Sequence, residues 1–101
     1  MDACDPDSIH PALGPLVRQL GALGARRVIL FGSRARGDAM PRADIDLAVD
    51  APDIDPRRWS DMLEAVENAQ TLLEIDCARL QDASGTFLEN ILREGKVIYD
   101  A

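Results

Sequence analysis

Val28, Ile29, Leu30 and Phe31 follow one another without a polar residue and run straight into Gly32, and nothing else in the chain restricts its fold as much. A strand with one wet face alternates polar and apolar positions, so an unbroken apolar run rich in β-branched residues needs cover on both faces. The rest of the chain supplies that cover. Ile9, Leu13, Leu16, Val17, Leu20 and Leu23 recur at helical spacing behind a cap at Asp7 or Ser8, with Gly24 as the stop. Pro15 would break an established helix, so regular structure is expected to begin near it.

Beyond the central run, Asp44 to Val49 reads as a strand. Asp55 and Pro56 cap and open a helix with the stripe Trp59, Met62, Leu63, Val66 and Ala69. Leu73 to Arg79 alternates Leu73, Ile75 and Cys77 against Glu74, Asp76 and Ala78, as a strand does. Thr86 or Ser84 caps a last helix bearing Phe87, Leu88, Ile91 and Leu92, ended by Gly95, before an edge strand from Lys96 to Tyr99. The expectation is a small mixed sheet of about four strands with helices packed on it, an α/β or α+β arrangement. At 101 residues the chain suffices for a single domain spanning 1–101.

Charge narrows the function. Eighteen acidic residues against eleven basic give −7, which disfavours bulk nucleic-acid binding through phosphate neutralisation. Four aromatic residues leave little for a base-stacking platform. No apolar stretch approaches the ~20 residues of a membrane span, and the acidic opening MDACDPD has the wrong charge for a signal peptide. A soluble, cytoplasmic protein is expected. Cys4 and Cys77 lie in unrelated contexts and suggest neither a disulfide framework nor a zinc site.

The chemistry is concentrated in LFGSRARGDAMPRADIDLAV, residues 30–49. Gly32 lets backbone approach a ligand, and Ser33 is placed to cap a one-turn helix whose amides, with Arg34 and Arg36, would attract phosphate. A Gly-Ser pair by itself is usually no more than a helix-capping turn. After ten intervening residues come Asp44 and Asp46, which on one strand project to the same side about 6.6 Å apart. Like charges in a strand are unfavourable and call for a cation. Carboxylate oxygens suit Mg²⁺, with Mn²⁺ as a substitute, and paired ions of this kind run phosphoryl and nucleotidyl transfer.

Gly-Ser, ten residues, then Asp-x-Asp on the following strand resembles the signature of the polymerase-β-like nucleotidyltransferase superfamily. The letters LFGSRARG and DIDLAV, with the closing REGKVIY, look most like its minimal branch, the MNT proteins that pair with HEPN-domain partners in toxin–antitoxin modules. One departure is Ala43, where such motifs often carry serine. The resemblance implies the polymerase-β-like fold, ATP as substrate, and two Mg²⁺ held by Asp44, Asp46 and a third carboxylate similar in placement to Asp76. Glu74 shares the face of Asp76 by alternation and is the rival for that role. Gly32 and Ser33 would hold the phosphates, with Arg34 or Arg36 beside them.

The function implied is transfer of AMP from ATP to a protein hydroxyl, a tyrosine of a HEPN toxin, by the antitoxin of a type VII-like module working in a hetero-oligomer. The alternatives are a catalytically silent antitoxin that neutralises its partner by binding alone, and a nucleotide sensor. His10 has no nucleophile arranged around it and reads as a surface residue. Trp59 and Met62 read as core or interface, Tyr99 as packing, and Asp50 to Asp55 as a solvated loop beside the site.

Overall fold

A computed structural model describes residues 1–101. The elements in chain order are β1 (Asp2–Ala3), α1 (Pro6–Ile9), α2 (Leu13–Ala22), β2 (Arg27–Phe31), α3 (Ser33–Arg36), β3 (Ile45–Asp50), α4 (Pro56–Glu67), β4 (Ile75–Arg79), a 3₁₀ turn (Leu80–Asp82), α5 (Gly85–Glu94) and β5 (Lys96–Asp100). One sheet takes all five strands in the order β1-β5-β2-β3-β4. β2 is antiparallel to both its neighbours, while β3 pairs parallel with β4 and β1 parallel with β5.

The apolar run is covered on both sides, as its composition requires. Val28 and Leu30 enter the main core with Leu13, Leu16 and Leu20 of α2 and Met62 and Val66 of α4. Ile29 points the other way and meets Ala48 and Ile91 beneath α5. Each fully buried aliphatic side chain of this kind contributes about 1.5–3 kcal/mol relative to exposure. The face under α5 is the thinner of the two, because Ile91 is the only buried residue of that helix while Phe87 and Leu92 remain exposed.

The structure differs from the sequence reading in several places. A fifth strand exists: β1 is two exposed residues whose pairing is extended by the Cys4 amide donating to the Val97 carbonyl at 2.8 Å. Two exposed residues carry no hydrophobic period, so only the pairing reveals them. The first helix is two helices. Asp5, rather than Asp7 or Ser8, caps α1 by accepting from the Asp7 amide, and His10 is extended because proline follows it. Pro15 then falls in the first turn of α2, where no amide bond is lost.

Asp50 departs furthest from expectation. It ends β3, is fully buried, and is not part of a solvated loop. Its Oδ2 accepts from Arg26 at 2.9 and 3.1 Å and from Arg27 at 3.0 Å, and its Oδ1 accepts from Gln81 at 2.5 Å. Desolvation pushes this carboxyl up, but the bonds from Gln81, Arg26 and Arg27 outweigh it and hold the group below its ordinary value. A buried charge so fully bonded fastens the ends of β2 and β3 to the turn after β4.

Candidate functional site

Gly32 turns the chain out of β2 with φ 75° and ψ −157°, a conformation only glycine adopts without strain. The glycine, not Ser33, is therefore the N-cap of α3, because a serine could not make this turn. Ser33 is the first helical residue, and its hydroxyl takes no part in capping. The single turn closes at Gly37, φ 86°, whose amide donates to the Ser33 carbonyl at 2.9 Å. A short helix start is left directly above the end of the central strand: the Ala35 and Arg36 amides both donate to the Gly32 carbonyl at 3.1 Å, which leaves those of Ser33 and Arg34 without an intrahelical acceptor.

The arginines of α3 have different surroundings. Arg34 reaches across the following loop, donating from Nε and Nη2 to the Ala43 carbonyl at 3.1 and 2.8 Å and from Nη2 to Pro41 at 3.2 Å. It thus fixes the segment that delivers Asp44. Arg36 pairs with Glu94 at 2.9 Å and Asp38 at 3.3 Å, which raises its pKa further. Arg36 also lies near enough to Asp46 to favour that residue's charged form.

The acids converge at the same end of the sheet. Asp46 faces Phe31 of β2 on one side and Asp76 of β4 on the other, so Phe31, Asp46 and Asp76 form one row across three neighbouring strands. Neighbouring strands lie about 4.8 Å apart, and residues in one row share a face. Asp44 is not on the strand with Asp46, as the spacing suggested. β3 begins at Ile45, whose amide donates to the Glu74 carbonyl at 2.9 Å, and Asp44 is the exposed last residue of the loop. Pairing with β2 stops at Asp46, so nothing holds Asp44 in the ladder.

Burial raises the pKa of Asp46, and repulsion from Asp76 and then Asp44 raises it further, with Arg36 opposing. Asp76 and Asp44 are therefore each within electrostatic reach of Asp46, and Glu74 is not among the groups that act on it. Glu74 lies instead at the sheet tip, lining a recess with Arg42, Asp44, Leu72 and Leu73. No three acidic, histidine or cysteine side chains are drawn into a ready-made metal cage. The chemistry of the donor set nevertheless fits a hard divalent cation: oxygen ligands only, with like charges that a cation would relieve.

Two residues at the site carry no signal in the sequence beyond their apolarity. Phe31 and Phe87 meet edge to face, ring centroids 5.7 Å apart at 79°, and with Asp46, Asp76, Cys77 and Ala78 they line an open recess. The Cys77 thiol is pushed up to about 11 by burial, so it contributes bulk and not a nucleophile. His10 is half-buried rather than on the surface: its Nδ1 accepts from the Ala12 amide at 3.0 Å and its Nε2 meets the Thr71 hydroxyl at 3.2 Å. It braces the start of α2 against the loop before β4.

Mixed sheet, glycine turn and acid row together define a nucleotidyltransferase-type domain. The polymerase beta nucleotidyltransferase family model matches residues 24–101, and the chain belongs to that family. Among curated proteins none matches. Similar folds occur in a toxin–antitoxin crystal structure with AMP-PNP, at 23% identity and TM-score 0.66, covering 86% of this chain and 73% of that one. A protein provisionally assigned as a minimal nucleotidyltransferase is similar at 23% identity and TM-score 0.67, covering 91% and 94%. So is a chain from a tri-AMPylated Shewanella oneidensis HEPN toxin in complex with MNT antitoxin, at 22% identity and TM-score 0.58, covering 95% and 73%.

Proposed function

We propose that the chain is a metal-dependent nucleotidyltransferase that moves AMP from ATP to a protein hydroxyl, the tyrosine of a HEPN-family toxin, and so acts as that toxin's antitoxin. The observation that carries this reading is the row placing Asp46 opposite Asp76, beneath the Gly32 turn and beside Asp44. Repelling acids that face one another across a sheet offer a scaffold nothing. They suit an enzyme whose cation must sit between carboxylates and phosphate. The family membership and the AMP-PNP and AMPylated-toxin complexes among the similar structures support the same reading.

Each residue then has a task. Gly32 and Ser33 grip the β- and γ-phosphates through backbone amides and the free hydroxyl. Asp44, Asp46 and Asp76 would hold Mg²⁺, which supplies charge neutralisation at the transferring phosphoryl group when bound. Asp76 takes the proton from the acceptor hydroxyl. The acceptor oxygen bonds to the α-phosphorus as the bond to the β-phosphate oxygen breaks, and pyrophosphate leaves with that electron pair. Arg34 is occupied with the loop, which leaves Arg36 as the cation nearest the site.

The test is incubation with α-labelled ATP, Mg²⁺ and a co-expressed HEPN-family partner. Label on the partner, lost in Asp46→Asn, is expected. Bound nucleotide without label would favour the sensor, and neutralisation of the partner without nucleotide binding would favour the silent antitoxin.

A further inference from the structure

We infer that Phe31 and Phe87 form the seat for an aromatic ring on the acceptor, so that the site selects a phenolic hydroxyl over an aliphatic one. This inference rests on the nucleotidyltransferase reading above and adds the residues that choose the acceptor.

The argument is positional. Across the sheet, the outermost level holds the Gly32 turn, Asp44 and Glu74, and the next holds the row Phe31, Asp46 and Asp76. One step further in is the row Ile29, Ala48 and Ala78, of which Ile29 and Ala48 pack against Ile91 of α5. The recess that contains Phe31, Phe87 and Ala78 opens from the acid row toward this inner level and includes neither Gly32, Ser33 nor Asp44. Phosphates gripped by the turn therefore lie on the outer side of the acids, and the aromatic recess lies on the inner side. A group seated there would reach the acids from the side away from the Gly32 turn, which suits an acceptor that must enter opposite the leaving group at the α-phosphorus.

The chemistry of the walls gives the occupant. Phe87 is 45% exposed although it is one of only two phenylalanines, and its free surface continues the edge-to-face pair. Aromatic rings prefer to add to such a pair in offset or T-shaped contact. Ala78 puts only a methyl on the floor, leaving room for a ring. At the mouth stand Asp46 and Asp76, which accept a hydrogen bond from a hydroxyl. A ring with a hydroxyl at its far end satisfies apolar wall and carboxylate together; a serine side chain is too short to touch both.

With two Phe, one Tyr and one Trp in the chain, aromatic NMR signals are few enough to follow singly. The full chain is titrated with N-acetyl-tyrosinamide, N-acetyl-serinamide and, separately, AMP-PNP with Mg²⁺. Expected are shifts of the Phe31 and Phe87 ring signals with the tyrosine probe alone, and an apparent affinity for it lowered roughly two- to tenfold in Phe87→Ala but largely kept in Phe87→Tyr. In the transfer assay, Phe87→Ala is expected to raise KM for a tyrosine acceptor and leave KM for ATP in place. Ring shifts driven by AMP-PNP would make the recess a base site and overturn the inference. So would an absence of ring response to the tyrosine probe, or equal response to the serine probe. The titration reads the recess independently of turnover, so a chain that binds the phenol but transfers nothing would refute the enzymatic reading alone.

Discussion

The Asp46 carboxylate fills the space that any side chain at position 32 would occupy: a Cβ built on Gly32 collides with Asp46 Oδ2. Turn and acid are therefore fitted to each other, and the backbone that would grip phosphate cannot be changed without moving the carboxylate that would hold the metal.

Gly32→Ala meets two obstacles, the collision and φ 75°. Backbone strain alone is expected to lower stability by about 1–3 kcal/mol. A carboxylate displaced by about an ångström is expected to reduce transfer about a hundredfold. Denaturant unfolding and labelled-ATP transfer, measured well below the unfolding midpoint, separate the effects. Transfer that persists in a strained but folded variant would show that Asp46 need not be where it stands.

Removing the charge from Asp46 separates function from stability in the opposite sense. In chelator, Asp46→Asn should be as stable as the natural chain or more so, because repulsion from Asp76 and Asp44 disappears. Transfer should fall by more than the about 10–100-fold typical of residues behind a metal ligand. Mg²⁺ should raise the thermal midpoint of the natural chain but not of the variant. An equal rise in both would place the ion elsewhere.

Asp50 predicts a pH effect with a definite sign. Its folded pKa lies below the ordinary carboxylate value, so its contribution is fully present above the unfolded value near 3.8 and is lost as pH falls through the lower, folded one. Asp50→Ala should cost about 2–4 kcal/mol at neutral pH, toward the low end for a buried pair because Arg26 reaches solvent. The gap between variant and natural chain should narrow only below pH 3.8. Urea unfolding at several pH values measures it, and a gap that closes at higher pH would contradict the bonding described.

Arg34→Gln removes the guanidinium that fastens the loop at Pro41 and Ala43. Trypsin should then cleave after Arg42 faster than in the natural chain. Transfer should drop because Asp44 has no ladder to hold it. The drop should appear in kcat with little change in far-UV circular dichroism. Unchanged cleavage would show that the loop is held by other contacts.

Much of the fold is legible in the amino-acid sequence, and the reasons are local. The Val28 to Phe31 run announces a two-faced strand, and Asp55-Pro56 announces α4, because both signals depend on residues adjacent in the chain. The pairing of Asp46 with Asp76 is foreseeable only through family resemblance, since periodicity gives Glu74 an equal claim to the face. The register decides what alternation does not. Asp50 reads as solvated because Pro52 and its acidic neighbours do, while its partners Arg26, Arg27 and Gln81 lie 23 to 31 positions away. The recess between Phe31 and Phe87 is hidden for the same reason: the rings meet only after α5 crosses the sheet.

β4 has a hydrogen-bonded neighbour on one flank only, and Asp76 rides on it. The third acid thus sits at the margin of the sheet while the second sits one strand inward, so the two differ in how firmly the backbone anchors them. Fraying of this border would disarm proton removal while the nucleotide grip and the remaining strands stayed whole. Whatever shields that flank would govern how firmly Asp76 is kept beside Asp46, and the proposed transfer would become sensitive to events that leave the melting temperature almost untouched.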